Sequence, residues 1–244
     1  MSSSVRASGF ENSAIAWDRL INSCFTNELF VTRSWQQLWF SHFGHGSDLQ
    51  ILTICENDVV LGMAPLMNKN GVLSFIGGTD LCDYADFLVP PSNAHQFYTN
   101  LFEYIRALAW HTIDLRSIPQ DSPTLEWIPN LAACSGYTCT VVEEDAAPKA
   151  TLAPTWDMFI STLSKKSRHE LRRKLRRIET EGSATHQTYS NPKSVQENIH
   201  DFFRLHRASS RDKSEFMTAE REAFFSDMSV EFAGNDELIL SFLK

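Results

Sequence analysis

The sequence predicts a mixed α/β (α+β) protein in which a mainly antiparallel sheet is flanked by helices. Three runs rich in aliphatic residues, 49–55, 59–66 and 72–76, are separated by short polar turns and indicate an antiparallel meander. Asn70-Gly71, between the last two runs, is a strong hairpin signal. Segments with helical periodicity stand on both sides of the meander in the chain, so helices are available to cover the sheet.

The remaining elements follow from periodicity and from turn residues. In the segment 32–43, Trp35, Leu38 and Trp39 share a helical face, and Thr32 can cap the helix. Further helices are predicted at 12–21, 93–109, 122–133, 156–163, 193–207 and 218–228, and further strands at 87–89, 112–115, 137–142, 150–152, 185–189 and 239–243. Residues 1–10 are small and polar, and we expect them to be disordered.

The length of 244 residues fits one large domain or two small ones. An acidic, alanine-rich linker at 143–148 predicts two domains, 11–147 and 148–244. The second begins in the same way as the first. The chain ends after an apolar strand for which a hairpin partner is expected, so we expect the second domain to be incomplete.

Charge is unevenly distributed, and this limits the function classes. The net charge is −8; residues 1–150 carry 7 basic and 16 acidic side chains, whereas residues 151–244 carry 15 and 14. A DNA-binding protein is normally basic overall, so the sequence does not predict one. The five cysteines are scattered and form no C-x-x-C pair, which predicts reduced thiols. The sequence shows no signal peptide and no apolar run long enough to span a membrane, so we expect a cytoplasmic protein.

The segment 164–182 predicts an amphipathic, strongly cationic helix that ends at Gly182. Eight of its residues from 165 to 177 are Lys or Arg, and Leu171, Leu175 and Ile178 form one apolar stripe. The stripe is expected to pack on the second domain. The basic face can bind cofactor phosphates such as those of coenzyme A, bind the acceptor end of an RNA, or form ion pairs with the acidic first domain. A plain solvated surface is the alternative.

An acidic loop follows the meander, with Asp80, Asp83, Tyr84 and Asp86 within seven residues. A carboxylate there can accept a proton from an amine nucleophile or hold its ammonium form. The alternative is a solvated loop whose aspartates cap turns. No metal site is predicted, because the His pair at 42 and 45 has no suitably spaced third ligand.

Five stretches together resemble a known family. They are FVTRSWQQLW (30–39), VLGMAPL (60–66), FIGG with DYADFLV (75–89), DLRSIP with SP (114–123) and SKKSRHELRRKLRRIE with a glycine (164–182). In order and spacing they look like the bacterial GNAT-type acetyltransferases described as CelD-like or BioF-like. These are relatives of the FemAB aminoacyltransferases and are often linked to cellulose or exopolysaccharide biosynthesis.

The resemblance implies two GNAT-like units, the second one truncated, and acyl transfer from acyl-CoA to the amine or hydroxyl of a small molecule. The acceptor attacks the acyl carbonyl directly, with Asp83 or Asp86 as the expected base and Tyr84 as the acid toward the leaving group. Lys166, Arg168, Arg172 and Arg173 are the expected contacts to the anionic donor. The alternatives are a FemAB-like enzyme with an aminoacyl-tRNA donor and a non-catalytic scaffold that keeps the fold.

Overall fold

A computed structural model of the chain describes residues 3–78, 80–148, 150–181 and 184–244. The chain divides into two compact units, Met1–Asp145 and Ala146–Lys244. This division lies two residues before the boundary expected from the acidic linker.

Unit 1 is built on one five-stranded sheet. The strands are β1 (Ser3–Ser8), β2 (Asp48–Glu56), β3 (Val59–Lys69), β4 (Val72–Phe75) and β5 (Thr112–Asp114), and the helices are α1 (Phe10–Leu20), α2 (Arg33–Phe43), α3 (Ala94–Ile105) and α4 (Thr124–Cys134). The strand order is β1-β2-β3-β4-β5. The first four strands pair antiparallel and β5 joins β4 in parallel, so the predicted fold class is confirmed.

The two hairpins of the meander form where the turn residues predicted them. Asn70 and Gly71 both have positive φ, as a type I′ turn requires, and so do Asn57 and Asp58 in the preceding turn. In α2, the Thr32 hydroxyl accepts a hydrogen bond from the Trp35 amide and caps the helix as predicted.

Both faces of β2 and β3 are covered. Leu52 and Ile54 belong to a core that includes Phe97 of α3, while Ile51 and Met63 are also fully buried. Because neighbouring side chains on a strand point to opposite faces, this pattern places apolar packing on each side of the sheet. On the first of these faces, α3 lies very close to Gly62 of β3. A Cβ atom added to Gly62 would lie 2.6 Å from the Phe97 ring.

Three of the predictions for unit 1 are wrong. Residues 87–89 form no strand, and Leu88 makes an isolated antiparallel bridge with Met63 instead. Residues 3–8 form β1, whose backbone pairs with β2 along its whole length, and Val5 packs against the core of unit 1. Residues 137–142 form no strand. The Tyr137 ring packs on Trp110 and the Glu144 carboxylate accepts a hydrogen bond from the Ser117 amide, so the segment runs beside β5 without joining the sheet.

Unit 2 combines helices with a two-stranded sheet. Its elements are α5 (Trp156–Thr162), α6 (Lys165–Glu181), β6 (His186–Tyr189), α7 (Pro192–Ser209), α8 (Arg211–Phe216), α9 (Ala219–Gly234) and β7 (Leu240–Leu243). β6 and β7 pair antiparallel, and α7 packs on α9. Their core residues are Val195, Ile199, Phe203, Met217, Ala233, Leu240 and Phe242. Of the short strand or extended segment predicted at 150–152, no strand forms, and α8 was not predicted.

The cationic segment forms α6, which begins after Ser164. The Ser164 hydroxyl accepts a hydrogen bond from the Ser167 amide at 3.1 Å and caps the helix. The predicted stop at Gly182 lies outside the described residues. The expected packing of the apolar stripe is wrong for two of its three residues: Leu175 and Ile178 are 37% and 43% exposed, whereas Leu171 is half-buried.

Candidate functional site

The acidic loop, residues 80–86, is held at both ends by buried contacts. On one side the Cys82 amide donates to the Gly78 carbonyl at 2.9 Å, and the Trp35 indole N–H donates to the Cys82 sulfur at 3.3 Å. On the other side the Ala85 amide donates to the Ser117 carbonyl at 2.9 Å. The loop therefore has a fixed course although it contains no helix or strand.

Asp86 is buried in the core, with 1% of its surface exposed. Its Oδ2 accepts a hydrogen bond from the Thr26 hydroxyl at 2.7 Å. Its Oδ1 accepts from the Thr124 hydroxyl at 2.6 Å and from the Phe87 amide at 2.9 Å. The Ser122 hydroxyl is a fourth donor. Burial raises the pKa of Asp86, and these four hydrogen bonds offset part of the rise.

The network continues beyond the carboxylate. The Thr124 hydroxyl has one hydrogen, and it donates that hydrogen bond to Asp86. The Tyr98 hydroxyl must therefore be the donor in its 2.7 Å contact with the Thr124 oxygen. Burial, followed by the nearby Asp86 charge, raises the pKa of Tyr98 well above its ordinary value. The same two causes, in the same order, raise the pKa of the Cys24 thiol to about 12. We call these six residues the Asp86 network: Cys24, Thr26, Asp86, Tyr98, Ser122 and Thr124.

The other polar residues of the acidic loop lie nearer the surface. Asp80 and Asp83 are exposed, and Tyr84 is half-buried. Asp83 and Tyr84 lie between two buried residues, Cys82 and Asp86, which hold this part of the loop in place. The three predicted catalytic residues therefore differ in burial: Asp83 is exposed and Tyr84 is half-buried, whereas Asp86 is buried and accepts hydrogen bonds from the protein.

Sequence reasoning did not find the partners of Asp86. Thr26 and Thr124 lie 60 and 38 residues from it in the chain. Ser122 was predicted only as a helix cap, and it does accept the Thr124 amide at 3.1 Å. One signal of burial was present: Asp86 stands between Ala85 and the apolar run 87–89, where a solvated carboxylate is not expected.

The predicted donor-binding residues all lie on α6. Lys166 and Arg172 are exposed, and Arg168 is half-buried. Arg173 is exposed as well but is engaged, because its guanidinium donates to both carboxylate oxygens of Glu170, at 2.8 and 3.1 Å. That contact raises the pKa of Arg173 and lowers the pKa of Glu170.

The helical geometry gives α6 two distinct faces. At about 100° per residue, six of its cations fall within an arc of about 140°, opposite the apolar stripe. This cationic face consists of Lys165, Lys166, Arg172, Arg173, Arg176 and Arg177. Arg168 and Lys174 instead border the apolar stripe, Leu171, Leu175 and Ile178, on its two sides. Three of the four predicted donor contacts therefore lie within the cationic face, and Arg168 lies just outside it, about 40° around the helix from Arg172.

A surface depression of about 540 Å³ lies elsewhere in unit 1, at the open end of the β2–β3 hairpin. Its lining residues are Gly46, Asp48, Asn68, Asn70, Gly71, Ala109, Trp110 and His111. None of the predicted site residues belongs to it. Among the described residues, no group of three or more His, Cys, Asp or Glu side chains is placed to hold a metal ion, and no helix is long and apolar enough to cross a membrane.

Comparison with known proteins identifies the fold. No family model matches the chain, and no curated protein sequence matches it. Among solved structures, the chain is similar to the crystal structure of FemX, with a TM-score of 0.59. The fold is FemX-like. Sequence identity is 13%, so the likeness shows the fold alone; it extends over 99% of this chain and 57% of the FemX chain. The narrower CelD-like or BioF-like assignment stays a prediction.

Proposed function

We propose that this chain acts in FemAB-type acyl transfer, moving an acyl or aminoacyl group from an activated donor to an amine or hydroxyl acceptor. The observation that carries the proposal is the FemX-like fold, which extends over 99% of the chain. Because a fold hosts several functions, this support is analogy, and the residues must supply the rest. A non-catalytic scaffold with the same fold is the competing function, and the experiment below distinguishes the two.

In the proposed step, the acceptor nitrogen or oxygen forms a bond to the acyl carbon while the bond from that carbon to the donor oxygen or sulfur breaks. The acceptor gives up its proton to the Asp83 carboxylate, and the Tyr84 hydroxyl protonates the departing oxygen or sulfur. Both side chains reach the surface from the firmly held acidic loop. Asp86 holds that loop in position, because its carboxylate is occupied by donors from the protein.

The cationic face of α6 supports an anionic donor. From Lys165 to Arg177 it extends over about 18 Å at 1.5 Å per residue, farther than one pyrophosphate group. Side chains spread over that length suit successive phosphates of an RNA strand better than the compact phosphates of coenzyme A. We therefore propose aminoacyl-tRNA as the preferred donor, with Lys166, Arg172 and Arg173 as its phosphate contacts. Acyl-CoA is the second candidate donor, and Arg168 would contact it together with the same three residues.

The test measures donor binding and acyl transfer with the whole chain. Affinity for aminoacyl-tRNA, free tRNA, acetyl-CoA and free coenzyme A is determined by fluorescence anisotropy or competition at several salt concentrations. Lys166→Glu with Arg172→Glu should weaken tRNA binding at least about tenfold and lower the salt slope by about one per lost contact. Lys193→Glu with Lys213→Glu is the matched control, since both residues are exposed cations of unit 2 outside α6.

Three outcomes distinguish the candidates. Binding of tRNA that depends on the cationic face, together with loss of the aminoacyl group to an added amine, supports the proposal. If the chain binds and turns over acetyl-CoA but does not bind tRNA, the donor is acyl-CoA rather than aminoacyl-tRNA. The transferase proposal fails if no donor binds at about 100 μM, or if Asp83→Ala and Tyr84→Phe leave turnover unchanged.

A further inference from the structure

The apolar stripe of α6 is not used by the proposed transfer. It consists of Leu171, Leu175 and Ile178, spaced four and three residues apart, and the latter two are 37% and 43% exposed. A stripe of this spacing is narrow, as in the seam of a coiled coil, whereas a helix that covers a domain core has a wider apolar face. Its shape therefore suits one partner helix.

The apolar stripe of α6 lacks part of the tertiary packing that normally stabilises a helix. Leu175 and Ile178 are 37% and 43% exposed, and Glu170 forms ion pairs with Arg173 and Lys174 inside the helix. Most helical stability in proteins comes from tertiary packing of an apolar face, and surface ion pairs add only a few tenths of a kcal/mol each. A partner that buries the stripe would supply the missing stabilisation.

The charges around the stripe determine which partner fits. Arg168 and Lys174 border it on its two sides, and Glu179 is the carboxylate nearest to it among the described side chains of α6. The segment Lys165–Glu181 carries eight cationic and three acidic residues, so a second copy of α6 would bring like charge against like. A helix with acidic residues beside its own apolar seam is complementary in both respects.

We propose that the apolar stripe of α6 docks an acidic amphipathic helix of a partner protein as a short coiled coil, on the side of α6 opposite the cationic face. The leucine and isoleucine side chains enter the seam, and Arg168 and Lys174 pair with the partner's carboxylates. Docking in this way would order α6 without covering Lys166, Arg172 and Arg173, the residues proposed to contact an aminoacyl-tRNA donor.

The experiment uses the full chain and a synthetic labelled peptide of about three heptads, with leucine at a and d and glutamate at e and g. Anisotropy should show saturable binding of this peptide and not of a scrambled peptide of the same composition. Leu175→Ser with Ile178→Ser should weaken binding at least about tenfold. Leu205→Ser with Ile239→Ser is the matched control, because both are exposed aliphatic residues of unit 2 outside α6.

A second variant keeps the apolar stripe and reverses the charges beside it. Arg168→Glu with Lys174→Glu should reverse the peptide preference, so that a peptide with lysine at e and g binds better than the glutamate peptide. The proposal is overturned if the scrambled acidic peptide binds equally well, or if the serine variant keeps full affinity. It is also overturned if the stripe instead mediates self-association detected by light scattering, or binding to vesicles of anionic lipid.

Discussion

Replacing Asp86 with alanine should strongly destabilise unit 1. The carboxylate accepts four hydrogen bonds, three of them from the hydroxyls of Thr26, Ser122 and Thr124. A hydrogen bond to a charged group contributes roughly 1.5–3 kcal/mol, so the gross stabilisation is about 6–12 kcal/mol. Burial of the carboxylate costs several kcal/mol. We expect Asp86→Ala to lower the free energy of unfolding by about 3 kcal/mol.

Urea unfolding followed by tryptophan fluorescence measures this effect, because five of the six tryptophans lie in unit 1. Asp83→Ala, an exposed aspartate in the same loop, is the matched control and should stay within about 0.5 kcal/mol of the wild type. Thr124→Val should cost less than Asp86→Ala, and the two changes should be less than additive because they share one network. An Asp86→Ala protein within about 1 kcal/mol of the wild type would refute the reasoning.

Two further predictions concern burial and close packing in unit 1. At pH 8, iodoacetamide should label Cys134 and Cys139, which are exposed, faster than Cys24, which is half-buried and whose pKa, raised to about 12, leaves almost no thiolate. Equal labelling rates by mass spectrometry would contradict this raised pKa. Gly62→Ala should lower the free energy of unfolding by about 1–3 kcal/mol, because the new Cβ would meet Phe97 of α3. Gly9 has open space around it, so Gly9→Ala should leave the stability unchanged. Equal effects of the two substitutions would contradict the close approach of α3 to β3.

The sequence predicted the elements that local patterns control. The meander follows from two turns with suitable residues, and α2 begins at the threonine that caps it. Residues 3–8 and 137–142 were predicted wrongly for opposite reasons. β1 has little apolar character but gains a full set of backbone hydrogen bonds from β2, whereas 137–142 has high strand propensity but lies beside a strand of only three residues.

The candidate site was predictable in residue type but not in geometry. The acidic loop stood out because four polar residues cluster there, yet nothing local distinguishes exposed Asp83 from buried Asp86 except the apolar run that follows the latter. The hydroxyl donors to Asp86, Thr26, Ser122 and Thr124, lie far from it in the chain, and such long-range contacts leave no periodic pattern in a single sequence. Helical periodicity located the cationic residues of α6, but only tertiary packing decides whether its apolar stripe is covered.

The two faces of α6 impose different chemical requirements, and this separates the two proposals that depend on the helix. Loss of charge at Lys166 and Arg172 removes anion contacts but leaves the apolar stripe intact, whereas serine at positions 175 and 178 removes apolar area without changing the net charge. If the cationic face binds the donor and the stripe binds a partner helix, each pair of substitutions should affect one ligand and spare the other. Loss of both ligands with either pair would instead mean that α6 folds only as a whole, and helicity measured by circular dichroism would then fall in both variants.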